Sequence, residues 1–204
     1  MKSMLVIGVT GGVGSGKSMI LEHLAERWGA ETILLDELSR KLLSPGGKCV
    51  QDAVELLGTE ILSGDGSIDR GAVASLIFRN ERLRLGLNAI IHPVVKSMAL
   101  EIIEEERRKG RPLVVIEAAL LIEEHYDAIC DEMWYIYADE ATRYRHLQES
   151  RGYDEARIRS TMKKQLSDES FRAHADFVVD NSGDFAAAAQ QVDQHMEGLL
   201  RNHL

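Results

Sequence analysis

Cysteine, proline and positive charge are what this 204-residue chain has least of, and each scarcity narrows what it can be. The two cysteines, Cys49 and Cys130, stand alone in sequence. They form no C-x-x-C pair and no His/Cys ligand spacing, so they read as ordinary thiols of a reducing compartment. Three prolines in 204 residues argue against a disordered or linker-rich chain. Basic residues number 24 against 33 acidic ones, a net charge of −9. That balance disfavours a general nucleic-acid or membrane-surface binder, though a local positive field can still sit on an acidic protein. No uninterrupted apolar run is long enough to cross a bilayer, and the first strand begins without a leader-like stretch. A cytoplasmic chain with no membrane and no nucleic-acid partner is expected, and the sequence leaves its oligomeric state open.

What is present is a core and a loop. Hydrophobic residues make up 45% of the chain, ample for one domain. An apolar run from Met4 to Val9 reads as a short buried strand, followed by Gly11-Gly12-Val13-Gly14-Ser15-Gly16-Lys17-Ser18. A helical pattern begins at Lys17, with Ile20, Leu21, Leu24 and Trp28 on one face. G-x-x-x-x-G-K-S between a strand and a helix is the phosphate-binding loop in its proper setting. Glycines let backbone N–H groups turn inward, and the helix N-terminus adds partial positive charge at the same spot. Lys17 can then reach the β- and γ-phosphates while the Ser18 hydroxyl ligates Mg²⁺. A glycine-rich connector that binds nothing is the plainer alternative, and the full spacing argues against it.

Further apolar runs at Glu31–Leu35, Leu113–Ile116, Glu132–Tyr137 and Phe177–Val179 read as strands, with helical patterns between them. Strand and helix alternation predicts an α/β fold, a parallel sheet flanked by helices of the P-loop NTPase type. The second and third runs lead into carboxylates, Asp36 and Glu117, at the sheet edge where ligands bind in such folds. From Arg70 to Lys109 the pattern is helical without a credible strand, too long for a simple crossover. It is read as an inserted helical subdomain of about 58–111 for the acceptor substrate, within a core of about 1–57 and 112–204. Pro93 is expected to open a new helix there. Asp139 is expected to cap a helix to about Ser150, Arg151-Gly152-Tyr153 to break it, and a charged helix to follow as part of a lid over about 151–170.

A guanine-reading Asn-Lys-x-Asp motif is absent, and the chain is short for a motor-type ATPase, so a small-molecule kinase is the expected class. The sequence resembles the dephospho-CoA kinase family over nearly its whole length. Thr10 to Ser18 matches the family's T-G-G-[IV]-G-S-G-K-S opening, Asp36 with Arg40 and Pro45-Gly46 its next segment, and Asp65-Gly66 with Asp69-Arg70 its d-G-x-l-d-R. Leu87-Asn88 with His92-Pro93 matches L-N-x-[IL]-x-H-P, and Gln165, Ala175-Asp176, Asp180-Asn181 and Gly183 match its C-terminal signature.

The resemblance implies transfer of the ATP γ-phosphoryl to the 3′-hydroxyl of dephospho-CoA, with ATP and Mg²⁺ required. It puts the general base at Asp36, alternatively a helix N-cap, with Lys17 as the other catalytic residue. ATP would be held by Gly12, Val13, Gly14, Ser15, Gly16, Lys17, Ser18 and Met19, with Arg151 as a lid arginine and Asn181 and Gly183 near adenine. Thr10, Asp36, Arg70, His92 and Pro93 would serve the acceptor. Mg²⁺ would sit on Ser18, with Glu117 acting through water. Arg70 and Arg151 can equally be solvated surface arginines, His92 a capping or core histidine, and Glu117 a plain strand-terminal carboxylate. The chain departs from the family in four places. Leu34-Leu35 replaces the first two residues of Asp-Ala-Asp, Met19 replaces Thr, Ala119 replaces Pro, and Thr161 stands where Arg is common. The hydroxyl missing at Met19 is worth about 0.5–1.5 kcal/mol if it makes one hydrogen bond. Rival readings are a nucleoside or nucleotide kinase and a low-turnover ATP-binding regulator.

Overall fold

Burial on both faces explains why the strands read as continuous apolar runs rather than alternating ones. In the computed structural model, which describes residues 4–202, β1 (Leu5–Thr10) is buried at every position. With β2 (Glu31–Leu34), β3 (Leu113–Glu117), β4 (Glu132–Tyr137) and β5 (Phe177–Asp180) it forms one sheet in the order β2-β3-β1-β4-β5. β1 pairs in parallel with β3 and β4, and β4 with β5. Register does the rest: Val9 lies opposite Glu117 and Thr10 opposite Tyr135. The ends of the central strands therefore deliver the glycine loop and the Glu117 carboxylate to one edge.

The chain divides into two compact units, one running up to Ile33 and from Glu105 onward, the other Leu34–Glu104. The first unit carries the sheet with α1 (Lys17–Trp28), α6 (Glu140–Arg151), α7 (Glu155–Lys163), α8 (Asp168–Ala173) and α9 (Phe185–Asn202). α1 starts at Lys17, where the sequence puts it, and buries Ile20, Leu21 and Leu24. Asp193 on α9 ties it down, accepting from Trp28 Nε1 at 2.8 Å and pairing with His23 at 2.9 Å and Arg27 at 2.9 Å. Although burial works against its charge, those donors hold the Asp193 carboxyl below its usual range. α6, α7 and α8 each begin on a side-chain cap, from Asp139, Asp154 and Ser167 respectively. α8 is an element the sequence reading does not resolve; its six residues are too few to show a period.

The second unit holds α2 (Leu35–Leu42), α3 (Val50–Leu57), α4 (Arg70–Arg79) and most of α5 (Glu81–Arg108). This unit includes α2 and α3 and ends at Glu104. Gly86 of α5 packs on Leu56 of α3, where a methyl group would lie 3.0 Å from the leucine. Cys49, at the head of α3, is buried, and burial pushes its thiol up.

Two expectations need correction at α5. Pro93 lies inside one continuous helix instead of opening a new one. Its ring is exposed, and the buried stripe Leu87, Ile91, Val95, Ala99 and Ile103 passes it unbroken. Burial of that stripe outweighs the one backbone hydrogen bond a proline cannot make. Among the described residues, α5 is also long and apolar enough by length and composition to cross a bilayer. No uninterrupted run announces it, because His92, Pro93 and Lys96 divide the apolar residues. Only 28% of the apolar stretch is buried, as expected of a helix that buries one face.

Candidate active site

The glycine loop leaves β1 at Gly11 and enters α1 through Gly16, whose φ of 86° and ψ of 21° are left-handed. Only glycine takes that conformation without strain, and a Cβ there would also collide with the Asn181 amide. The α1 N-terminus has no side-chain cap, and although the Met19 N–H donates to Gly16 O, those of Lys17 and Ser18 remain for an anion. Inside the curve, Lys17 Nζ donates to Gly11 O at 2.9 Å and lies 3.6 Å from Glu117 Oε1. Burial drags the Lys17 pKa below its ordinary value; Glu117 opposes this, while Arg143 and Arg151 add to it. Three cations against one close carboxylate make a local positive field on an acidic chain.

Side chains from α6 and beyond brace the loop from outside. Arg143 Nε donates to Val13 O at 3.0 Å, and its Nη2 donates to Gln165 Oε1 at 2.6 Å. The same Gln165 oxygen accepts the Val13 N–H at 3.1 Å. His146 Nδ1 is 2.9 Å from Gly14 O. Asn181 Nδ2 donates to Ser15 O at 2.8 Å in a fully buried contact. Gly12 lets the Arg143 guanidinium lie directly against the loop, where a Cβ would push it aside. Burial lowers the pKa of that guanidinium too. The Thr10 and Ser15 hydroxyls are buried without a hydrogen-bond partner among the described residues.

Of the residues named from sequence, Thr10, Gly12–Lys17, Glu117 and Asn181 gather at this edge. Ser18 and Met19 follow in the first turn of α1, both exposed. Asn181 directs its amide nitrogen to the loop backbone rather than outward. Gly183 is exposed, with nothing near where its Cβ would be. Arg151 ends α6, exposed, with its guanidinium 6.0 Å from the Tyr153 ring; Arg157 lies closer to that ring, at 3.9 Å. Asp36, Arg70, His92 and Pro93 belong to the other unit. Asp36 is exposed in the first turn of α2, two residues past the end of β2, and the N-cap is Leu34. The capping alternative for Asp36 therefore falls. Arg70 is the first residue of α4, capped by Asp69, and His92 is half-buried in α5.

Arg143 and His146 are loop neighbours the sequence reading misses, and Gln165 enters it only as a motif residue. A signal did exist: 143, 146 and 147 share one face of α6, and Leu147 is the buried member. Among the described residues, no three His, Cys, Asp or Glu side chains are grouped to hold a metal unaided. An exposed Ser18 hydroxyl and one nearby carboxylate instead suit Mg²⁺, which keeps waters and takes phosphate oxygens.

The dephospho-CoA kinase family model matches residues 5–187. The chain belongs to the dephospho-CoA kinase family. It is 37% identical over 180 residues to a dephospho-CoA kinase of Geobacter sulfurreducens, covering 88% of this chain and 91% of that one. The crystal structure of TT1252 from Thermus thermophilus superposes with a TM-score of 0.83 at 27% identity, covering 98% and 99% of the two chains. Dephospho-CoA kinase from Campylobacter jejuni gives 0.72 at 20% identity, covering 98% of each chain and showing the shared fold. Membership in the dephospho-CoA kinase family makes this chain a kinase with a P-loop fold, and it accounts for the cations gathered on the glycine loop.

Proposed function

We propose that this chain transfers the γ-phosphoryl group of ATP to the 3′-hydroxyl of dephospho-CoA, yielding CoA and ADP. The observation that carries the reading is the family match over residues 5–187, on a chain whose loop keeps Gly11–Ser18 intact. Phosphoryl transfer asks the protein mainly for positioning and for charge on the equatorial oxygens. Lys17 is the residue assigned to that charge. Its Nζ rests on Gly11 O at 2.9 Å, a partner it can exchange for a phosphate oxygen. Gly12 to Met19 are assigned to ATP. Arg151 is assigned to the lid, and Asn181 with Gly183 to the edge near adenine.

Ser18, with Glu117 through a water, would hold Mg²⁺, which supplies neutralising charge to the β- and γ-phosphates when bound. Asp36 is assigned the acceptor proton. Its exposed carboxylate in the first turn of α2, free of side-chain partners among the described residues, supports this. Thr10, Arg70, His92 and Pro93 are assigned to the acceptor. Cys49 and Cys130 form no disulfide among the described residues, which accords with a reducing, cytoplasmic setting. The test is ATP-dependent phosphorylation of dephospho-CoA beside a panel of nucleosides and nucleotides. Turnover of another acceptor without product from dephospho-CoA would overturn the reading.

A further inference from the structure

A second cation converges on the arc of loop that Lys17 already occupies. Lys17 Nζ donates to Gly11 O at 2.9 Å and reaches Gly12 O at 3.5 Å. The Arg143 guanidinium lies against Gly12 and donates to Val13 O at 3.0 Å. Two positive groups held over one short backbone arc repel each other, and burial sharpens the repulsion. Glu117 sits beside Lys17 at 3.6 Å, and Glu140 is the carboxylate whose charge acts on Arg143. Such a pair is favourable when a polyanion lies between them.

The partner of Arg143 carries the argument further. A single oxygen, Gln165 Oε1, accepts from Arg143 Nη2 at 2.6 Å and from the Val13 N–H at 3.1 Å. One acceptor shared by a guanidinium and a loop amide is the coordination a phosphate oxygen takes in a P-loop site. Gln165 lies in the connection between α7 and α8, so its side chain can withdraw without disturbing the sheet. The rest of the α6 face stays fixed, with His146 on Gly14 O and Leu147 buried.

We propose that Arg143 is a further catalytic residue, an arginine supplied in cis that binds the transferring phosphate once a phosphate oxygen replaces Gln165 Oε1. The Val13 amide and Arg143 Nη2 then pass together from the carboxamide to the nucleotide. This rests on the ATP-dependent kinase reading above. An arginine placed on the γ-phosphate acts on charge that grows in the transition state, so its loss falls on kcat more than on acceptor binding.

The experiment uses the whole chain with Arg143→Ala, Arg143→Gln and Arg143→Lys. It measures kcat, both KM values, ATP and ADP affinity by calorimetry, and Tm. Arg143→Ala is expected to lose at least about 100-fold in kcat, with KM for dephospho-CoA within about threefold. ATP affinity should fall more than ADP affinity, and millimolar guanidinium ion should restore part of the rate. Arg143→Lys should recover little, since an ammonium cannot serve two acceptors in the guanidinium's planar geometry. If the alanine variant does not fold, Arg143→Gln gives the same readings while retaining a donor for Val13 O. A kcat within about fivefold of wild type, or equal losses for ATP and ADP without guanidinium rescue, would overturn the proposal. Should wild type fail to use dephospho-CoA, the acceptor reading fails, and the ATP-against-ADP affinities still decide the role of Arg143.

Discussion

Replacing Asn181 by aspartate changes one NH₂ group to an oxygen, at a point where the geometry makes that swap costly. Asn181 is 3% exposed, and its Nδ2 donates to Ser15 O at 2.8 Å. Its backbone N–H meanwhile donates to Tyr137 O at 2.8 Å, which fixes where the side chain must point. Aspartate would set an acceptor against a carbonyl oxygen in a buried contact. The lost hydrogen bond is worth about 1 kcal/mol, and stranding the buried groups adds about 1–3 kcal/mol. The sum, about 2–4 kcal/mol, lowers Tm by roughly 5–15 °C in a chain of this length. Because Ser15 O precedes the Gly16 turn into α1, KM for ATP should rise by about tenfold.

A pH arm separates this cause from simple loss of packing. The new carboxyl can donate to Ser15 O only when protonated, so its folded-state pKa lies above the ordinary value of about 3.9. The deficit against wild type is therefore smallest below about pH 3.9, grows as pH rises to the folded pKa, and is constant above it. Asn181→Ala should lose about 1–3 kcal/mol with no such pH dependence. The assay is thermal unfolding of all three proteins across pH, beside steady-state KM for ATP. A Tm for Asn181→Asp within 2 °C of wild type (about 1 kcal/mol or less), with unchanged KM, would refute the brace.

Lys17→Met should lower kcat by at least about 100-fold while the protein stays folded, as circular dichroism would show. Wild-type Lys17 has a lowered pKa, so the folded chain binds fewer protons than the unfolded chain between that pKa and 10.5. Wild-type stability should therefore gain on Lys17→Met as pH rises through that window; a gain on the acid side instead would contradict the burial account. Asp36→Asn should lose most of kcat, about 100-fold, with Tm unchanged because Asp36 caps nothing; near-wild-type kcat would remove it as the base. Pro93→Ala should raise Tm, since it restores a helix hydrogen bond worth about 1 kcal/mol, and should weaken dephospho-CoA binding. A lower Tm would mean the proline is structurally required.

The sheet was legible because strands buried on both faces leave uninterrupted apolar runs, as in Leu113–Ile116. The loop was legible because its chemistry fixes both residue types and spacing. Helix ends with polar caps were legible as well, and Asp139 caps α6 as expected. Pro93 misled because its local preference is a weak prior beside the apolar stripe that runs past it. Arg143 and Gln165 were illegible for a different reason. They are 22 residues apart and meet only through tertiary structure, Arg143 on a helix whose charged surface looks like an ordinary solvated face and Gln165 in the connection after α7. Asn181 could be read as a motif residue, but the partner of its amide could not.

The most direct test of the account is formation of CoA from dephospho-CoA and ATP by the purified chain, followed with the ADP released. The account predicts one CoA and one ADP per ATP consumed. It also predicts dependence on Lys17 and Asp36, and no comparable turnover with nucleosides or nucleotides. ATP consumption with no phosphorylated product, or preferred phosphorylation of another acceptor, would contradict it.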